Sequence, residues 1–166
     1  MKTGQSIPLA SVPNLRDLGG WPTRDGGRVR ARRLYRSTEL HRLAGDDKAA
    51  VEALGIRTVF DLRTEAERSA NPDHLPKGAQ LVVVDVLADS SSAAPAQLMK
   101  VLGDPAAAAE MLGGDKAVRL FEHGYREIVS LPSALSAYRT FFSDLAQPCS
   151  TARRGRTARA GRRRRC

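Results

Sequence analysis

The residues best placed for chemistry are Asp61 and Arg63, which lie at and just beyond the end of a predicted buried strand, 56–61. In α/β sheets, ligands bind in the crevice outside the carboxyl ends of the strands. At such a crevice a carboxyl group can transfer a proton, and a guanidinium can bind an anion. The plain structural alternative is that Asp61 caps the turn beginning at Arg63.

Two earlier segments also concentrate charge beside turn residues. Arg16 and Asp17 precede the pair 19–20, two glycines that suit a turn needing unusual backbone angles. A local ion pair that pins this turn is the simplest interpretation of the two charges. Arg36 and Ser37 end a second predicted strand, where a solvated strand end is the simplest interpretation.

Taken together, the segments 14–20, 34–37 and 55–63 resemble, in order and spacing, bacterial phosphatases of the tyrosine-phosphatase superfamily. The resemblance covers residues 8–147. It implies an α/β fold with a tyrosine-phosphatase-like central sheet flanked by helices, incomplete at the C-terminus. It also implies a phosphorylated protein or a phosphoinositide as substrate, and no cofactor or metal.

The resemblance assigns roles to individual residues. Asp61 becomes a candidate general acid or an organiser of the nucleophile loop. The residues that the resemblance implies support the phosphate loop or the substrate are Arg16, Asp17, Arg36, Ser37 and Arg63. In this superfamily a cysteine thiolate attacks phosphorus, an arginine six residues later grips the phosphate oxygens, and an aspartic acid protonates the leaving oxygen.

The nucleophile motif, His-Cys followed by five residues and Arg, should come after the last predicted helix. Cys149 stands near that place, but Pro148 precedes it and Gly155 occupies the position six residues later. The stretch 153–165 also offers like charges and no apolar face for the helix that should follow. We therefore reject Cys149 as the nucleophile and expect this chain to be inactive.

We hypothesise that a shifted reading frame explains the missing motif. With one permitted choice of codons for residues 150–161, reading one base earlier yields His-Cys-Thr-Thr-Gly-Lys-Asp-Arg-Thr-Gly-Trp. Where the tail has Thr, Ala or Gly, the middle base of the new codon is fixed by the genetic code. Our hypothesis is that a one-base shift near 147–149, in the gene or its sequencing, replaced the catalytic loop with a disordered tail.

Composition locates the basic charge in that tail. The net charge is +9, but eight arginines lie in residues 151–166 without any acidic residue. The rest of the chain carries only +1, which argues against a specific nucleic-acid site in the body. Cys149 and Cys166 also fall at or inside the tail, so the body has neither a disulfide framework nor a Cys/His metal cluster.

The histidines and the hydropathy of the chain point to no further site. His41, His74 and His123 are scattered without metal-ligand spacing, so we assign them no role. The sequence lacks an apolar run of membrane-spanning length and a secretory leader, so we expect a cytoplasmic protein, with secretion by another route left open. The oligomeric state is not predicted.

The predicted domain organisation has two parts, the first of which contains a candidate lid. Residues 1–147 form the N-terminal part of a phosphatase domain, 88–129 are a candidate helical lid, and 148–166 are the arginine-rich tail.

Local patterns predict a hairpin with an Asp25-Gly26 turn before a strand over 29–35, and then a helix capped by Asp46 or Asp47 and ended by Gly55. Strands over 56–61 and 81–86 are predicted in a sheet covered on both faces, with a capped turn over 64–69 between them. Helices are predicted over 116–129 and 132–145. In the last helix we expect Leu135, Tyr138, Phe141, Phe142 and Leu145 to be buried.

Three functions stay open at this point. The first is a cysteine-dependent phosphomonoester phosphatase, by family. The second is a non-catalytic pseudophosphatase that binds phosphorylated partners. The third is polyanion binding through the arginine-rich tail, which lacks interleaved aromatic residues for base stacking.

Overall fold

The computed structural model describes residues 3–90, 106 and 113–146. These residues form two small sheets and four helices, in the order β1 (Arg16–Asp17), β2 (Tyr35–Arg36), α1 (Gly45–Ala53), β3 (Thr58–Asp61), α2 (Glu65–Ala70), β4 (Gln80–Val83), α3 (Lys116–Ser130) and α4 (Pro132–Ala146). The predicted α/β class is confirmed. The predicted tail, and the residues 91–105 and 107–112 of the predicted lid, lie outside the described part of the chain.

The N-terminal sheet pairs β1 with β2 in antiparallel register, so that Arg16 lies opposite Arg36. Between the two strands is the predicted hairpin, closed by the Val29 amide donating to the Trp21 carbonyl at 2.9 Å. The strand predicted over 29–35 is wrong in length. Arg32 adopts a positive φ of 60°, which interrupts extended backbone before the pairing begins.

Helix α1 ends as predicted, with Gly55 at φ 67° and its amide donating to the Glu52 carbonyl. Its beginning differs from the prediction. The N-cap position is Ala44, without a side-chain cap, so neither acidic residue of the first turn caps the helix. Instead, Asp47 accepts two hydrogen bonds of 2.7 Å from the Ser11 amide and hydroxyl, which tie α1 to the N-terminal loop.

Strands β3 and β4 pair in parallel and are joined through α2. The predicted capped turn is present: the Thr64 hydroxyl accepts from the Glu67 amide, and the Glu67 carboxylate accepts from the Thr64 amide. Both strands are shorter than predicted. Leu81 and Val83 are 42% and 49% exposed, so within the described residues the sheet is not covered on both faces.

Helices α3 and α4 lie where the sequence predicts them, but α4 docks through a different face. Its buried residues are Ala134 and Ala137, which pack with Val84 and Val86. The apolar side chains that stay largely exposed on α4 are Leu135, Phe142 and Leu145, contrary to prediction, whereas Tyr138 and Phe141 are partly buried. The two alanines present little bulk, so the helix approaches the chain after β4 closely. None of the described helices has the length and apolar character needed to cross a membrane.

Two groups of buried side chains support the loops that carry the candidate site. One group consists of Val12, Leu15, Leu40, Leu43 and Val51. It lies under the segment before β1 and the segment after β2. The other forms around Val84 and α4, and the ring of Phe60 in β3 meets Phe141 edge to face at 4.9 Å. Strand β3 contacts both groups, since Val59 packs against the first and Phe60 against the second.

Candidate functional site

Asp61 and Arg63 form a two-pronged ion pair at the carboxyl end of β3. Arg63 Nη2 lies 2.7 Å from Asp61 Oδ2, and Arg63 Nε lies 2.9 Å from Asp61 Oδ1. The Arg63 backbone amide also donates to Asp61 Oδ1, at 3.0 Å. Only 4% of the Asp61 side chain and 17% of the Arg63 side chain are exposed. This short loop is therefore held rigidly by a charge-assisted fork.

Arg63 also reaches two further carboxylates and a carbonyl. Its Nη1 lies 3.2 Å from Glu39 Oε2 and donates to the Asn71 carbonyl at 2.9 Å, and its Nη2 lies 3.1 Å from Asp73 Oδ1. Asp73 in turn accepts from the Leu40 amide at 2.7 Å. We call Glu39, Asp61, Arg63 and Asp73 the Arg63 network. It joins the end of β3 to the segment after β2 and to the segment after α2.

The ionisation of Asp61 follows from these contacts. Burial alone would raise the pKa of its carboxyl group. The hydrogen bonds from Arg63 and the positive charges of Arg63 and Arg68 outweigh burial, so the pKa lies below the usual value for aspartate. The pKa of Arg63 is raised, chiefly by its hydrogen bond to Asp61. A general acid needs a pKa near the working pH, so that it carries a proton to donate. An ionised carboxylate with both oxygens hydrogen-bonded to Arg63 instead suits a positioning role.

Asp17 holds the turn at the predicted glycine pair. Its Oδ1 accepts from the Gly19 amide at 2.8 Å and its Oδ2 from the Arg32 amide at 2.7 Å. The carboxylate is thus occupied by backbone donors, and it stabilises the positive φ of Arg32. Arg16 does not pair with it; the two neighbours point to different partners.

Arg16 faces a polar pocket instead. Its Nη2 donates to Asn14 Oδ1 at 2.6 Å, and the pocket of about 220 Å³ is lined by Asn14, Arg16, Arg36, Ser37 and Thr38. We call these five residues the arginine pocket. Three of the predicted site residues therefore meet here, whereas Asp61 and Arg63 belong to the neighbouring Arg63 network. The segment 36–39 contributes to both.

The sequence alone indicated no site role for four residues of these two groups: Asn14, Thr38, Glu39 and Asp73. Asn14 adopts a left-handed φ of 65°, which asparagine tolerates better than most residues, so a Pro-Asn turn was the available signal. For Asp73, the preceding Asn-Pro dipeptide marks a turn without revealing what the carboxylate contacts. Within the described residues, no cluster of His, Cys, Asp and Glu has the arrangement of a metal site.

Comparison with known proteins connects these features to a family. No curated protein matches the chain significantly. The pattern of the tyrosine phosphatase family, however, matches residues 7–153, which span both the arginine pocket and the Arg63 network. Since the match covers most of the 166 residues, the chain belongs to the tyrosine phosphatase family.

Proposed function

We propose that this protein is a phosphomonoester hydrolase of the protein-tyrosine or dual-specificity type, acting on a phosphorylated protein or a phosphoinositide through a phosphocysteine intermediate. The observation that carries the proposal is the family match over residues 7–153. Membership indicates a phosphatase. The geometry around β3 supports the finer statement, because a rigid, charged loop at the carboxyl end of a parallel strand is where an α/β fold binds its ligand.

The Arg63 network supplies positioning in this proposal. Asp61 is ionised and holds the Arg63 guanidinium in a fixed plane, while Glu39 and Asp73 hold the same group from the other side. These contacts keep the segment after β2 at a constant place relative to β3. Of the two roles open for Asp61, organiser of the site agrees with its lowered pKa better than general acid does.

The chain as it stands is proposed to lack turnover. Cys149 has Gly155 where the reaction needs an arginine, so a thiolate there has no fork to hold the phosphate oxygens. This observation favours a second candidate function, non-catalytic binding of phosphorylated partners. Polyanion binding by the arginines of 151–166 is the third, and we rank it last.

The experiment compares two versions of the gene on p-nitrophenyl phosphate. One encodes the chain as given, and the other has its reading frame shifted by one base near codon 148. We expect turnover only from the shifted version, and we expect it to vanish when that version's new loop cysteine is changed to serine.

Two outcomes would contradict the proposal. Turnover by the chain as given, abolished by Cys149→Ser, would make Cys149 the nucleophile. A stop codon soon after the shift would remove the frame hypothesis and leave the non-catalytic function in first place. Loss of heparin binding on deleting residues 149–166, with phosphopeptide binding retained, would separate the tail's charge from the site.

A further inference from the structure

The arginine pocket contains an electrostatic conflict. Arg16 and Arg36 are direct cross-strand partners in the antiparallel pair β1–β2. Residues opposite each other in such a pair have Cβ atoms about 4.5–5.5 Å apart, and like charges there destabilise the pairing. Each strand is only two residues long, so few other backbone hydrogen bonds offset this repulsion.

The described residues do not neutralise the two charges. Arg16 donates to the Asn14 carboxamide oxygen at 2.6 Å and to the Asn14 carbonyl at 3.4 Å, both of which are neutral acceptors. Arg36 is exposed, and its guanidinium has no hydrogen bond or ion pair with any residue that the structure describes. Asp17, which follows Arg16, accepts from the Gly19 and Arg32 amides with its two oxygens. Glu39, three residues after Arg36, pairs with Arg63 instead.

The two guanidiniums of the pocket suit an oxyanion, and the other lining residues keep it polar. All five lining residues are polar, and its volume of about 220 Å³ is several times the roughly 30 Å³ share of one liquid water. Asn14 holds a left-handed φ of 65°, a conformation that non-glycine residues keep where the surroundings require it. In that conformation the Asn14 carboxamide accepts a hydrogen bond from the Arg16 guanidinium, and both residues line the pocket.

We infer that the arginine pocket is a binding subsite for a phosphate monoester group, held by Arg16 and Arg36. The hydroxyls of Ser37 and Thr38 donate to the Thr38 and Pro13 carbonyls, so they line the subsite and the two guanidiniums supply its donors. Guanidinium forks form their strongest hydrogen bonds with phosphate and carboxylate, and a phosphate dianion would turn the repulsion between the two arginines into shared attraction. The inference rests on the proposed function only in expecting the phosphate to belong to the substrate.

The subsite does not require the nucleophile loop. Its lining lies wholly within residues 14–38, so the chain as given should bind phosphate even without turnover. None of its lining residues belongs to the Arg63 network, although Thr38 and Glu39 are neighbours in sequence. The two groups are linked through the segment 36–39, which carries part of each.

The test titrates inorganic phosphate into the full chain by calorimetry at low ionic strength, with Arg16→Gln, Arg36→Gln and Arg36→Lys. The control is Arg57→Gln, which removes an exposed arginine outside the pocket and leaves the tail in place. Charge-assisted hydrogen bonds to phosphate predict that Kd rises about tenfold or more in either pocket variant to Gln. Arg36→Lys should recover only part of it, because lysine keeps the charge without the fork.

Two further arms distinguish the source of the phosphate. O-phosphotyrosine binding more tightly than inositol 1-phosphate assigns the subsite to phosphoprotein, and the reverse order assigns it to a lipid headgroup. Equal weakening by Arg57→Gln, or unchanged binding in both Gln variants of the pocket, overturns the inference. Phosphate binding that depends on Arg36 without turnover from the frame-shifted gene would retain the subsite and remove the phosphatase proposal.

Discussion

Two arginine-containing regions of this molecule are arranged in opposite ways. In the Arg63 network, one guanidinium is surrounded by three carboxylates and buried to 17% exposure. In the arginine pocket, two guanidiniums lie on paired strands and the described residues bring no carboxylate to either. The first arrangement is complete within the protein and therefore serves structure. In our proposal, an anion from outside completes the second arrangement, which then serves recognition.

The sharpest way to break this comparison is to remove the central cation of the network. Arg63→Met leaves Asp61 and Asp73 buried without their counter-charge, so we expect the free energy of unfolding to fall by about 3–5 kcal/mol in urea denaturation. The matched control is Arg57→Met at an exposed position, which should change it by less than about 0.5 kcal/mol. Similar losses of unfolding free energy in the two variants would show that the Arg63 network stabilises the fold no more than an exposed arginine does.

Removing one carboxylate should have a smaller effect. In Asp61→Asn, Arg63 keeps Glu39 and Asp73, so the loss is that of charge-assisted hydrogen bonds, about 1–3 kcal/mol of unfolding free energy. The same urea titration measures it, and Arg63→Met provides the upper limit. A loss equal to that of Arg63→Met would mean that Asp61 alone accounts for the network.

The lowered pKa of Asp61 predicts how stability depends on pH. A carboxyl group with a lower pKa when folded than its unfolded value of 3.8 contributes stability above that value and loses it as the pH falls through the folded pKa. We expect thermal stability to decline below about pH 4, with a shallower decline in Asp61→Asn. Parallel pH profiles for the two proteins would contradict an ionised Asp61.

The smallest effect has the opposite sign and sharpens the comparison most. Arg36→Gln relieves the repulsion with Arg16, so in phosphate-free buffer at low salt it should raise the unfolding free energy by about 0.2–1 kcal/mol. Added salt should shrink the gain, because exposed charges are screened. A loss of stability would place Arg36 among the structural arginines, with Arg63.

Features that depend on neighbouring residues were predictable. The capping box of Thr64 and Glu67 and the helix end at Gly55 each involve groups within a few residues, so side-chain chemistry decides them before any packing occurs. The same holds for the hydrogen bond from the Arg63 amide to Asp61 Oδ1, which is the turn cap offered as the structural alternative. The side-chain fork between the two residues was not predicted. Their prominence in the sequence was a local property.

Features that depend on distant partners were not predictable in the same way. Asp47 looks like a helix cap in the sequence, yet its carboxylate binds Ser11 from another loop. In α4 the sequence shows two apolar stripes, and only docking decides that Ala134 and Ala137 are buried while Phe142 is exposed. Periodicity defines a face but does not identify the surface that will cover it.

By itself, the sequence determined the α/β class, most of the elements, the family resemblance and the prominence of Arg16, Arg36, Asp61 and Arg63. Tertiary structure decided what those charges do. Strand register placed Arg36 opposite Arg16, and the loops after β2 and α2 brought Glu39 and Asp73 to Arg63. The reason is physical: a charge acts according to the groups within a few ångströms of it, and those groups come from segments far apart along the chain.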